Sequence, residues 1–343
     1  MQCVYSPDQR LHDPRTFIVA GKPMPMPERV ERIDLLLQGV KAVGGTIATP
    51  PPIKLHELEL VHTPRYLTFL KTLRERWARQ PDASAYPIPN IHALGRDNLP
   101  PPTYPDSIVG QVGWHFGDGS APFVEGTLEA ALASAASAKH AALLVAKGDN
   151  LAYALCRPPG HHASADLAAG FCYFNNSAFA AAHLKAKGHK VAILDIDVHH
   201  GNGTQAIFYH DPSVLTVSIH ADPARFYPLF WGYAEERGAG EGFGHNLNLP
   251  LARGIDDRAF LAALDDALTV VTAFEPDILV LAAGLDISED DPFKGFAVTT
   301  SGFEKIGKRI YALGLPVVAV QEGGYPSPSL SKNLAALLSG LGA

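Results

Sequence analysis

Cysteine is scarce in this chain: Cys3, Cys156 and Cys172 are the only ones in 343 residues, and no two stand in a CxxC spacing. That spacing and odd count suit a reducing compartment better than a disulfide framework. Basic charge is short as well. Lys and Arg number 28 against 35 Asp and Glu, a formal net charge of -7, which argues against nucleic acid as a partner and weakly favours cationic ligands. No apolar run approaches the ~20 residues of a membrane helix. The start, Met1-Gln-Cys-Val-Tyr-Ser-Pro-Asp8, lacks a basic segment followed by an apolar one, so no signal peptide is read there. The expectation is a soluble cytoplasmic protein with neither a membrane nor a nucleic-acid partner. Internal repeats and low-complexity tails are missing too.

What is present is an apolar chain, 47% hydrophobic, able to bury a large core. It reads as one domain spanning 1–343. After a short strand at Gln2–Tyr5, a helix opens at Pro27-Glu-Arg-Val-Glu-Arg32 and stops at Gly44-Gly45. A second covers about Pro64–Arg79 and a third Thr127–Lys147, ended by Gly148. Between them, at about 80–126, prolines and aromatics crowd together. This reads as a long irregular insertion of functional or interface type.

Beyond it strands and helices alternate. Strands are expected at Asn150–Leu155, Lys190–Ile196, Val214–Ile219, Ile278–Ala283 and Pro316–Gln321. Helices are expected at Asn176–Lys187, Asp257–Phe274, Gly302–Leu313 and Ser329–Leu338. Apolar strands alternating with helices mean an α/β fold with a parallel sheet covered on both faces.

The richest stretch is Val191-Ala-Ile-Leu-Asp195-Ile-Asp197-Val-His199-His200-Gly201-Asn202-Gly203. An apolar strand runs into carboxylates and imidazoles at the end where open α/β sheets hold their ligands. Asp195, Asp197 and His199 alternate, so they project to one side. The other strands end comparably: in Cys156-Arg-Pro-Pro-Gly-His161-His162, in His220, in Gly284-Leu-Asp286, and in Glu322-Gly-Gly-Tyr325. Asp197, His199 and Asp286 make three ligands for a divalent ion with a position left open for water. His161 and His162 supply proton transfer near neutral pH, with Asp195 and Asn202 to orient them. Tyr325 offers an O–H to a developing oxyanion. Taken singly, each has a plainer alternative: tandem histidines as a polar turn, Asp286 as a helix cap, His220 as a core imidazole, Cys156 and Cys172 as packing. Together they describe metal-assisted hydrolysis of a carbonyl compound.

These residues also carry a resemblance. Arg157-Pro-Pro-Gly-His-His162, Gly170-Phe-Cys-Tyr-Phe-Asn-Asn176, Asp195-Ile-Asp-Val-His-His-Gly-Asn-Gly-Thr204, Ser218-Ile-His220 and Glu322-Gly-Gly-Tyr325 resemble the zinc-dependent histone deacetylase superfamily. The likeness runs from His62-x-x-x-Tyr66 to Tyr325. Through the segment Phe226-Tyr-Pro-Leu-Phe-Trp-Gly232 it is nearest to the bacterial acetylpolyamine amidohydrolases.

The resemblance implies a three-layer arginase/deacetylase-like fold with about eight parallel strands. It implies Zn²⁺ on Asp197, His199 and Asp286, with Tyr325 polarising the scissile carbonyl. His162 becomes general base and then acid, beside His161 paired with Asp195, while Asn202 stands where some members carry an aspartate. It further implies a substrate tunnel walled by Gly170, Phe171 and Tyr227, and a structural K⁺ near Asp195, Asp197, His199, Ser218 and Ile219. A homodimer through the 80–126 insertion is also implied. The loop acids that meet a distal ammonium are replaced here by Val109 and Ser120, with Asp106 and Asp118 nearby. The function implied is deacetylation of small N-acetylated amines, acetylpolyamines or acetyldiamines, with a lysine deacetylase or a hydrolase of other small amides as the alternative. A non-catalytic binder is disfavoured by the proton-shuttling histidines, and a two-metal ureohydrolase by too few ligands.

Overall fold

The computed structural model describes residues 1–93, 95 and 100–343; the rest of the 80–126 stretch, residues 94 and 96–99, lies outside them. The strands are β1 (Gln2–Val4), β2 (Thr16–Val19), β3 (Lys22–Pro25), β4 (Thr46–Ala48), β5 (Leu151–Ala154), β6 (Val191–Asp195), β7 (Val214–Ala221), β8 (Asn246–Leu251), β9 (Ile278–Ala283) and β10 (Val317–Gln321). The α-helices are α1 (Glu31–Ala42), α2 (Pro64–Trp77), α3 (Ile108–His115), α4 (Thr127–Ala146), α5 (Asn176–Ala186), α6 (Asn202–Phe208), α7 (Asp257–Phe274), α8 (Thr300–Tyr311) and α9 (Leu330–Gly340).

Eight strands form one sheet in the order β4-β1-β5-β10-β9-β6-β7-β8, and every pairing in it is parallel. The strands are apolar throughout because each feeds two cores. In β9, Leu279, Leu281 and Ala283 enter one cluster with α1, α7, α8 and α9, while Ile278 and Val280 enter another with α2, α3, α4 and α5. The two-residue period thus splits a uniform-looking run between the layers. Local caps start the helices where side chains dictate. Asn175 accepts from Ala178 N, Asp256 from Ala259 N and Thr299 from Gly302 N, each satisfying a donor that the first turn leaves free.

The strand order places the site. From β6 the chain moves outward to β7 and β8, then returns to lay β9 on the other flank of β6, with Asp195 paired to Ala282. A reversal of that kind opens a crevice at the carboxyl rim, between the loops that follow β6 and β9. The opposite rim carries exposed turns containing Gly148, Gly188 and Gly314 ahead of β5, β6 and β10.

Several elements differ from the sequence reading. The 80–126 stretch is not wholly irregular, since α3 forms within it and packs on α2. The hairpin β2–β3, the edge strands β4 and β8, and the short α6 lack a strong apolar period, and their sequences do not announce them. By length and composition α4 meets the membrane-helix criterion that no apolar run was expected to reach, but 61% of its most apolar window is buried in the protein. It packs against α5 and β5 as a core helix.

Candidate metal centre and active site

Three donor groups meet at the crevice. Asp197 and His199 come from the loop after β6 and Asp286 from the loop after β9; their ligand atoms lie within 4.8 Å of one another. His199 Nδ1 stands 3.1 Å from Asp197 Oδ1 and 3.1 Å from Asp286 Oδ2. Backbone amides hold the carboxylates in place: His199 N–H donates to Asp197 Oδ1, Gly323 N–H to Asp197 Oδ2, and Val198 N–H to Asp286 Oδ1. A Cβ at Gly323 would press on both Asp286 Oδ2 and Asp197 Oδ2, so the glycine keeps the space between the carboxylates open.

Two fully buried carboxylates face to face need positive charge between them. Burial raises the Asp286 carboxyl, as does the charge of Asp197, to about 6. Burial opposes charge on His199, yet its bonds to Asp197 and Asp286 raise it to about 9. The set is therefore built to hold a cation, and two oxygen donors with one imidazole fit a divalent ion with an open coordination position.

The loop after β5 brings the tandem histidines alongside. His161 Nδ1 lies 2.9 Å from Asp195 Oδ2, and His162 Nδ1 lies 2.6 Å from Asn202 Oδ1. The two environments push the rings apart. Burial disfavours an imidazolium on His161, but the carboxylates of Asp197 and Asp195 raise it to about 10. Burial and then the charges of His161 and His199 hold His162 well below its ordinary value, against a lift from Asn202. Charge is thus favoured on His161 and disfavoured on His162, whose Nδ1 faces the Asn202 amide oxygen. Neighbouring groups driven in opposite directions mark acid and base assignments.

Aromatic side chains pack around the site. Phe171 meets the Tyr325 ring edge-on at 5.9 Å, and Tyr227 meets His162 edge-on at 4.9 Å. Gly170 has φ of +54°, and a Cβ there would run into the His162 ring. Tyr325 is buried, and burial, followed by the charge of Asp286, keeps its phenol far above the ordinary range. The hydroxyl is thus a donor at every working pH. Ser218 and Ile219 lie on β7 beside Asp195, with Ser218 Oγ bonded to His220 Nδ1 at 2.8 Å. His220 also reaches Gly232 O at 2.8 Å, so it is a satisfied core imidazole rather than a pocket wall.

Of the loop residues, Val109 packs on the core and Asp106 is exposed. Asp118 Oδ2 accepts the Tyr227 hydroxyl at 2.6 Å, and Ser120 Oγ donates to Asp118 Oδ1 at 2.6 Å, which places both residues beside Tyr227.

The sequence reading missed several contributors. Phe226 stacks on His199 at 5.1 Å, Phe293 meets both His199 and Tyr325, and Phe17 of β2 meets Phe171 at 5.4 Å. The Glu322 carboxylate accepts Gly160 N–H, His161 N–H and Ser177 O–H, tying the histidine loop to the tyrosine loop. Asp291, buried and raised to about 8 by burial and by Asp286, accepts the backbone N–H groups of Phe293 and Tyr325. An acid in a Gly-rich motif hinted at Glu322; nothing in the local pattern singled out Asp291.

An eight-stranded parallel sheet with a buried Asp-His-Asp set and tandem histidines at its carboxyl rim is the arrangement of a deacetylase. The chain belongs to the histone deacetylase domain family, which matches residues 25–341. It is 45% identical to an acetylpolyamine amidohydrolase of Burkholderia pseudomallei, over 100% of this chain and 99% of the relative. It is 39% identical to an acetylpolyamine amidohydrolase of Mycoplana ramosa, over 99% of each. A crystal structure of acetylpolyamine aminohydrolase from Burkholderia pseudomallei superposes with a TM-score of 0.94 at 45% identity, covering 100% of this chain and 99% of that one. The HDA15 HD domain superposes at 0.80 with 29% identity, covering 99% and 89%.

Proposed function

We propose that the protein hydrolyses small N-acetylated amines, acetylpolyamines or acetyldiamines, to acetate and the free amine. The observation that carries this is the buried Asp197-His199-Asp286 set beside tandem histidines, His161 bonded to Asp195 and His162 to Asn202. The full-length relatives named for acetylpolyamines support the substrate class. The donor set fits Zn²⁺, which when bound supplies Lewis acidity toward a carbonyl and a water.

The chain's own residues do the rest. Neutral His162, its tautomer fixed by Asn202, takes a proton from the attacking water and returns one to the departing amine nitrogen as the C–N bond breaks. Cationic His161, paired with Asp195, adds fixed positive charge where negative charge develops. The Tyr325 O–H donates to the carbonyl oxygen as it becomes an oxyanion. Gly170, Phe171 and Tyr227 pack the alkyl chain between their surfaces. A structural K⁺ near Asp195, Asp197, His199, Ser218 and Ile219, a homodimer through the 80–126 insertion and a cytoplasmic location belong to the same reading. Titration with K⁺ and sedimentation of the purified protein test the first two.

Acetate release from acetylputrescine, acetylcadaverine, acetylspermidine and an acetyl-lysine peptide tests the substrate class. The small amines are expected to give kcat/KM at least about tenfold above the peptide. A preference for the peptide would replace this reading with a lysine deacetylase.

A further inference from the structure

The loops after β9 and β10 supply Asp286 and Tyr325, and each must keep a fixed relation to the other for the phenol to meet the carbonyl. Tyr325 sits between Gly324, at φ of +106°, and Pro326. The turn before it is held by Arg32, which donates to Gly324 O and Glu322 O, and by Gly323 N–H on Asp197 Oδ2. The N–H of Tyr325 itself is held from the neighbouring loop after β9. Asp291 is 1% exposed; its Oδ2 accepts Tyr325 N–H at 3.0 Å and its Oδ1 accepts Phe293 N–H at 2.9 Å.

The Phe293 bond is a local turn of the kind any loop aspartate makes. The Tyr325 bond joins residues 34 apart and has no such local explanation. Both bonded residues flank the reaction centre. Phe293 packs edge-on against the Tyr325 ring at 4.9 Å and against His199 at 5.2 Å. One carboxylate thus fixes the backbone of the oxyanion donor and the backbone of the ring that braces it.

We infer that Asp291 is the positioning residue for Tyr325, setting where its hydroxyl stands relative to the scissile carbonyl. This rests on the reading of Tyr325 as the carbonyl donor. Asp291 itself touches no reacting atom. A misplacement of about 1 Å at such a donor is enough to cost orders of magnitude in rate.

The test is a double-mutant cycle with Asp291→Asn and Tyr325→Phe, read as kcat, KM and bound zinc. An asparagine turns an amide nitrogen toward one of the two N–H donors, so one bond is lost with little change in volume. Expected is a fall in kcat of about tenfold or more, KM within about twofold, and full metal content. In the Tyr325→Phe background the same substitution should cost less than about twofold, since the group it positions is gone. Losses that multiply, or an Asp291→Asn enzyme with wild-type kcat, would overturn the inference. Tyr325→Phe keeping full turnover would remove the donor role and the inference together, a result distinct from multiplying losses. If Asp291→Asn does not fold, Asp291→Glu, which keeps the charge but changes the reach, goes through the same cycle and the same ratio decides.

Discussion

Replacing Asn202 by Asp turns a neutral acceptor into a charge beside the proposed base. His162 Nδ1 lies 2.6 Å from Asn202 Oδ1, which puts the charge centres of an imidazolium and a carboxylate about 4 Å apart. At an effective dielectric near 20, such a pair interacts by about 4 kcal/mol, or about three pKa units. The new carboxylate is itself buried, because Asn202 is only 8% exposed, and its desolvation opposes part of that gain. The net effect is a raised pKa for His162.

The sign is fixed by the role. The base works as neutral imidazole, so a raised pKa moves the acid limb of kcat/KM toward higher pH. In the native protein burial and the charge of His161 hold His162 low, and that limb should lie well below neutrality for this group. The assay is acetate release from acetylputrescine between about pH 5 and about pH 9. An acid limb that stays put in Asn202→Asp would show that His162 is not the group whose neutrality the reaction needs.

Three other perturbations bear on different parts of the molecule. Asp286→Ala should lose both bound metal and activity, measured by elemental analysis and acetate release; a loaded, active variant would remove Asp286 from the ligand set. Gly170→Ala puts a methyl group against the His162 ring at a positive φ, and should lower kcat by about tenfold or more with metal retained; unchanged kcat would mean that the loop yields freely. Glu28 lies buried between Arg32 at 3.3 Å and Arg157 at 2.9 Å, so Glu28→Gln strands two guanidinium groups and should cost about 3–5 kcal/mol. For 343 residues that is a fall in Tm of about 4–7 °C by calorimetry, and a variant melting with the native protein would refute the ledger of buried charge.

Much of the fold was readable in the sequence where burial on both faces left uniform apolar runs. The predicted ends of β6, β9 and β10 agree with the structure to within a residue, and those ends carry the metal set and Tyr325. Edge elements were not readable. β8 alternates Asn246 and Asn248 with leucines, and those amides bond Gln205 and residues of the 233–236 turn instead of entering an apolar core. The hairpin β2–β3 carries Pro23 and Pro25 and is largely exposed, so no strand period shows. Asp291 reaches the Tyr325 amide, and Glu322 those of Gly160 and His161, far along the chain, and a side chain whose partner is distant and unspecialised leaves no local signature. Asp118 shows the converse: proximity along the loop pointed toward the mouth, but only the folded chain reveals the Tyr227 hydroxyl as its partner.

The exposed turns at Gly148, Gly188 and Gly314 stand a full strand's length from the chemistry. A fluorophore, a surface tether or a spliced peptide placed in any one of them would ride on the enzyme without entering the path of substrate. Immobilised or labelled forms can therefore be made from the side of the molecule that catalysis leaves idle.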